Sequence, residues 1–316
     1  MKKFLSIICC LAVSGLVGCS SATAEKSDKI NIVCTVFPEY DWVREITGNT
    51  DNIEITYLLG NGSDMHSYQP SMDDIIKISS CDLFVYTGGE SDKWAEDTVN
   101  QAKNKNIIAL SMLESLGSSA KTEEIKEGMQ SDETEESAEY DEHIWLSLDN
   151  AGTLCTAIAD TLCQVDPENS EQYQENLSTY CHELERLDNE YSETLSGIEN
   201  KTLIFGDRFP FRYLVDDYGL DYFAAFSGCS AETEASFETI TFLADKVDEL
   251  NIDTIFTIEG SDDSIAKAII SGTTAKNQKI SRLDSIQSVT SRQIADGVTY
   301  LSIMQSNLNT LKEVLS

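Results

Sequence analysis

An α/β fold of two similar lobes, each with a parallel-sheet core and joined by a long rigid helix, is the class this sequence predicts. Three observations carry it. Strand-like and helical segments alternate from residue 30 to residue 110, and again from residue 202 to the last residue. Between the two halves lies one unbroken helical pattern. The 316 residues, 41% of them hydrophobic, suit two lobes of ordinary size.

The elements follow in order. Lys2 and Lys3 precede an apolar run from Phe4 to Val17, shorter than the ~20 residues a spanning helix needs. The run ends Leu16-Val17-Gly18-Cys19, which resembles the bacterial lipobox. The resemblance implies a signal peptide over 1–19 and Cys19 as the lipid-bearing first residue of the mature protein. The rest would then be held outside the cytoplasm, anchored to the bacterial membrane. Residues 20–29 are small and polar and read as a flexible tether.

The N-terminal lobe is assigned to 30–150. Strands are expected at 30–36, 53–59, 83–86 and 107–110, and helices at 40–47, 72–79 and 94–103. Residues 123–142 interrupt this pattern with ten acids against one base, Lys126. Such a run cannot bury itself and is expected to be a solvated, mobile loop. The linking region is 151–199. Asp166 and Pro167 suit the cap and first position of its long helix, and Tyr173, Leu177, Tyr180, Leu184, Leu187, Tyr191, Leu195 and Ile198 recur at three and four. The C-terminal lobe, 200–316, reads as strands at 202–205, 222–226, 254–258 and 279–283 with helices at 211–218, 237–250, 264–270 and 297–315.

The formal charge is −33, and −35 once residues 1–19, with two Lys and no acid, are removed. So acidic a surface disfavours nucleic acid and anionic lipid as partners. Of nine Cys, six lie beyond the signal and the lipid site: Cys34, Cys81, Cys155, Cys163, Cys181 and Cys229. No Cys-x-x-Cys pair occurs, which argues against a thiolate zinc site, and their apolar neighbours suit small buried residues.

Chemistry concentrates on His66 and His143, two of only three His in the chain. Both sit in loops, where α/β lobes place ligands. His182 lies inside the linking helix among charges and reads as solvated. The motifs His66-Ser67-Tyr68-Gln69-Pro70-Ser71, Asp141-x-His143-x-Trp145-Leu146-Ser147, the Asp166-Pro167 helix, Arg282-Leu283-Asp284-Ser285 and Thr299 to Leu308 occur in order along nearly the whole mature chain. Together they are similar to the zinc/manganese-binding lipoproteins of metal-importing ABC transporters.

That resemblance implies a metal site in the cleft between the lobes, with Zn2+, alternatively Mn2+, as transported cargo. It implies an ABC permease and its ATPase as partners, a monomeric binding protein, and no catalysis. It implies His66 and His143 as the first two ligands and Asp284 as the fourth. The third is a His or carboxylate opening the second lobe. No His stands in Phe205 to Tyr213; Asp207 matches best, one residue farther from Tyr218-Gly219-Leu220 than in the family. Glu234, in Glu234-Ala235-Ser236, which resembles the family's Glu-Pro-Ser turn with Ala in place of Pro, and Glu259, after strand 254–258, are expected to support by capping or hydrogen bonding rather than to ligate. Two imidazoles and two carboxylates suit zinc and, without thiolates, leave manganese open.

Three rival readings compete with this one. A metal-dependent hydrolase needs an open water position and a base, and neither His-Glu-x-x-His nor Gly-x-Ser-x-Gly occurs. A binder of iron chelates or vitamins would need a roomy aromatic or basic pocket. An adhesin has only surface location in its favour.

Overall fold

Parallel strands buried on both faces read as continuous apolar runs, and two such runs, Leu83–Tyr86 and Thr254–Ile258, are buried at every position. The computed structural model describes residues 29–48, 50–130, 139–230 and 234–315. Cys19, the signal peptide and the tether up to Asp28 lie outside the described residues. Among the described residues no helix is long and apolar enough to cross a membrane.

The first lobe runs β1 (Ile30–Cys34), α1 (Phe37–Thr47), β2 (Ile53–Tyr57), α2 (Met72–Ser80), β3 (Leu83–Tyr86), α3 (Lys93–Asn100), β4 (Ile108–Ser111) and the short α4 (Met112–Leu116). Two helices follow, α5 (Leu148–Val165) and α6 (Ser170–Ser196). The second lobe runs β5 (Thr202–Phe209), α7 (Arg212–Tyr218), β6 (Asp221–Ser227), α8 (Phe237–Leu250), β7 (Thr254–Ile258), α9 (Ser264–Gly272), β8 (Lys279–Leu283), α10 (Ser291–Ala295) and α11 (Tyr300–Leu315). The sheets are parallel, with orders β2-β1-β3-β4 and β6-β5-β7-β8. The two lobes thus repeat one topology. In each, the order reverses beside the first strand, and the carboxyl ends of the strands there form a crevice suited to a ligand.

Helix α6, 27 residues and about 40 Å long, buries Tyr173, Leu177, Tyr180, Leu184, Leu187, Tyr191 and Leu195 on one face. Its first half is tied to the first lobe, where Asn176 Nδ2 donates to the Ile46 carbonyl at 2.9 Å. Its second half is tied to the second lobe: Tyr218 donates to Asp188 at 2.8 Å and Tyr191 to the Met304 carbonyl at 2.6 Å. The lobes also meet directly. Tyr300, at the start of α11, donates its N–H to Asp41 at 2.7 Å and its hydroxyl to the Trp145 carbonyl at 2.6 Å.

Several expectations change. Asp166 does not cap the long helix; it closes α5, and its carboxylate accepts from Tyr173 at 2.6 Å and Asn169 at 2.7 Å. Pro167–Asn169 form a 3-10 turn and α6 starts at Ser170. Helices α4, α5 and α10 are additional to the expected set. The solvated loop expected over 123–142 is corrected at both ends, residues 131–138 lying outside the described residues. Thr122 bridges Tyr140, Gln130 pairs with Phe226 beside β6, Lys121 meets Asp216 at 2.8 Å, and Lys126 meets Asp221 at 2.5 Å. The few bases here and on α7 neutralise acids across the lobe boundary, so the segment docks. Asp141 and Glu142 are buried outright.

Candidate metal centre

His66 stands on a 3-10 turn, Met65–Ser67, between β2 and α2. Asp64 caps that turn, accepting from the His66 N–H at 2.9 Å, while its other oxygen pairs with Arg208 across the cleft. Burial alone would raise the Asp64 carboxyl; the Arg208 and His66 charges hold it below the usual range. His143 precedes a second 3-10 turn, Ile144–Leu146, whose three side chains are buried. Ser147 then caps α5, accepting from Asn150 at 3.1 Å. Trp145 Nε1 donates to the Ser285 carbonyl at 2.8 Å, tying the His143 turn to the loop after β8.

The two rings meet. Their Nε2 atoms are 3.1 Å apart. His143 Nδ1 lies 2.9 Å from Asp141 Oδ1. His66 Nδ1 lies 2.9 Å from Ser91 Oγ and 3.4 Å from Glu142 Oε2. At 3.4 Å the Glu142 contact is electrostatic rather than a full hydrogen bond, and Glu142 Oε2 is buried with no hydrogen-bond partner among the described residues. Gly89, with φ +82°, leaves the space that Glu142 fills; a Cβ there would stand 2.9 Å from its Cγ. Asp141 at the His143 Nδ1, and Ser91 with the Glu142 charge at the His66 Nδ1, orient the two rings so that their Nε2 atoms face each other. Two nitrogens 2.0–2.1 Å from a tetrahedral zinc would be about 3.3 Å apart, close to the separation found.

Burial lowers the His143 pKa, but the Asp141 hydrogen bond and charge, with Glu123 and Glu142, outweigh it and raise the net value. Burial likewise pushes Glu142 up, and the neighbouring His66 ring and Ser91 bring it below the usual carboxylate range.

The second lobe brings Asp207 and Glu259 to the same cleft, each at the end of a strand. A cavity of about 520 Å³ between the lobes is lined by Asp64 and His66 from one side and Asp207, Arg208 and Glu259 from the other. Asp207 sits on a bulge: Phe205 pairs with Ala224 but Arg208 with Phe226, so β5 carries one extra residue. That bulge places Asp207 among the residues lining the cavity. Gly206 is required there, since a Cβ would come within 2.6 Å of the Ala266 backbone. The neighbouring guanidiniums pair elsewhere, Arg208 with Asp64 and Arg212 with Asp216 and Glu124. Asp284 accepts from the Ile286 N–H at 2.8 Å. It lies beside Glu259, and burial raises both carboxyls. Glu259 is engaged by Ser285, whose hydroxyl donates at 2.6 Å and whose N–H donates at 2.7 Å, a supporting role. Glu234 is exposed ahead of α8, its carbonyl accepting from Gln130. His182 is on the solvent face of α6, as expected.

Among the described residues, the donor atoms gathered within 4.8 Å of one another belong to His66, His143 and Cys229. Asp207 and Asp284 stand outside that group. Sequence reasoning passed over Cys229, Asp141 and Glu142. The two acids were legible as immediate neighbours of His143; Cys229 reaches the site only through the fold.

Residues 32–314 match the family described as zinc-uptake complex component A, periplasmic. The chain belongs to that family. The zinc-binding lipoprotein AdcA of Streptococcus pneumoniae is 31% identical over 318 residues, covering 99% of this chain and 61% of that protein. The chain therefore spans about three-fifths of that relative. The high-affinity zinc uptake system protein ZnuA of Bacillus subtilis is 26% identical over 306 residues, covering 96% of this chain and 93% of its own length. The Zn(II)-bound ZnuA-like domain of the pneumococcal AdcA superposes with a TM-score of 0.71 at 27% identity, covering 91% of this chain and 99% of the domain. The two-lobed α/β architecture is that of the family.

Proposed function

We propose that this chain captures Zn2+ outside the cytoplasm and delivers it to an ABC permease driven by its ATPase, as a monomer tethered through a lipid on Cys19. The observation that carries this is the His66–His143 pair, with Nε2 atoms 3.1 Å apart and each Nδ1 backed by a carboxylate. Family membership and zinc-binding relatives support the same cargo. In this reading the first lobe supplies the two imidazoles, and the Asp207 and Asp284 carboxylates of the second lobe cancel the charge of the dication, which is costly to leave uncompensated in a poorly solvated cleft. Glu259 orients the Asp284 loop. Mn2+ is the alternative cargo, because carboxylate oxygens suit it.

Elemental analysis of protein purified without added metal, followed by competitive titration with zinc and manganese, tests the cargo. One zinc per chain, displaced by manganese only in large excess, is the expected result. Protein that takes up neither ion refutes the reading. Mass spectrometry of the native protein is expected to find an acylated amino-terminal Cys19, and an unmodified mature terminus elsewhere would refute the anchor.

A further inference from the structure

The geometry points to Cys229 Sγ as a third donor to the metal held by His66 and His143, a two-nitrogen, one-sulfur set that selects zinc over manganese. This rests on the reading that the His pair binds the metal. Around a tetrahedral zinc, a nitrogen at 2.0–2.1 Å and a sulfur at 2.3 Å stand about 3.6 Å apart. The three donor atoms, all within 4.8 Å of one another, are close enough for one ion to draw them together.

The chain around Cys229 is shaped for this approach. Gly228 lies against the His143 ring: a Cβ there would be 3.0 Å from Cε1, 3.1 Å from Nδ1 and 2.9 Å from the Phe209 carbonyl. Only glycine lets the end of β6 pass so near the imidazole. The Cys229 N–H then donates to Glu123 Oε1 at 2.8 Å, fixing the turn from the docked acidic segment. The thiol is in no disulfide. Burial first, and then the charges of Asp141, Glu123 and Glu142, hold the thiol well above its ordinary range, so a dication must displace the proton for the sulfur to bind. On binding, the thiol gives its proton to solvent and the sulfur donates a lone pair to the metal. A four-coordinate ion then has room for one second-lobe carboxylate, Asp207 or Asp284.

Thiolate is a soft donor that suits zinc and is poorly matched to manganese. The test is to load the whole chain with Co2+ and record its absorption. A sulfur-to-cobalt charge-transfer band in the near ultraviolet, together with visible bands of a tetrahedral ion, is expected. In Cys229→Ser the ultraviolet band is lost while cobalt still binds through the imidazoles. Zinc affinity in that variant falls at least about tenfold, the lower end of what even outer contacts to a metal cost, and manganese affinity stays level. Bound cobalt without the sulfur band in the unaltered chain, or a band that survives Cys229→Ser, overturns the assignment and leaves the His pair standing. Failure to bind cobalt or zinc at all overturns the His-pair reading as well.

Discussion

The two lobes share one sheet topology but meet the cleft in different ways. On the first-lobe side, His66 and His143 are already convergent, each ring fixed through Nδ1 and seated on a short turn locked by buried neighbours. On the second-lobe side, Asp207, Cys229 and Asp284 come from three separate strand ends, and only Cys229 reaches the imidazoles. Asp207 rests on a bulge; Asp284 rests on a loop held by Ser285 and Asn307. Half the site is preformed, and the other half is assembled around it. Preformed ligands lose little freedom on binding, so they should dominate affinity, while the assembled side should decide which metal is preferred and how tightly the lobes hold together.

Removing a preformed ligand is the strongest way to break this comparison. His66→Ala and His143→Ala should each weaken zinc binding by orders of magnitude while the chain still folds. Calorimetry finding either variant near the parent affinity would reverse the order of the two halves. Loss of the groups behind the rings should come next. Asp141→Asn and Glu142→Gln keep shape but remove the charge that orients the imidazoles, and a fall of about 10–100-fold in zinc affinity is expected. On the assembled side, Asp207→Asn and Asp284→Asn should lower affinity and reduce the thermal stabilisation that zinc gives, the larger loss marking the carboxylate that fills the fourth position. If only Asp284→Asn does so, Asp207 is not a ligand and the bulge serves packing alone.

The pH dependence sharpens the same contrast. Coordination needs an unprotonated Nε2, so the stabilisation given by zinc should be full above the raised His143 pKa and fade as pH falls through it, sooner than for an ordinary imidazole. In the metal-free chain the sign is opposite: a raised His143 pKa contributes stability that is complete below the unfolded value and is lost as pH rises through the folded one. Melting curves with and without zinc should therefore converge on acidification. The smallest expected effect lies outside the site. Lys126→Ala removes a partly exposed pair with Asp221, worth about 0.2–1 kcal/mol of stability, and should leave zinc affinity unchanged.

Much of this was legible in the sequence. Strands β3, β7 and β8 and helix α8 fall at their expected bounds, because long apolar or amphipathic runs state their own period. The two His were found because they are scarce and sit in loops. Helix α5 was not anticipated: Gly152, Thr153, Thr156 and Thr161 lower its helix propensity, and only packing against α6 makes it secure. The acidic segment was misread because composition counts charges without their partners, and its partners, on α7 and β6, are remote in the chain. Cys229 has no second Cys nearby in the sequence to mark it as a donor. Its companions are imidazoles supplied by the other lobe, a juxtaposition that no local pattern records.

Asp64 gives the cleft a kinetic character of its own. One of its oxygens holds the His66 turn and the other reaches Arg208 in the opposite lobe, so parting the lobes takes a partner from the residue that caps the His66 turn. Coordinate bonds are indifferent to dissolved salt, whereas a partly exposed ion pair is screened by it. The rate at which metal leaves should accordingly rise with ionic strength in this chain, and Arg208→Ala should lose that dependence while releasing metal faster at low salt.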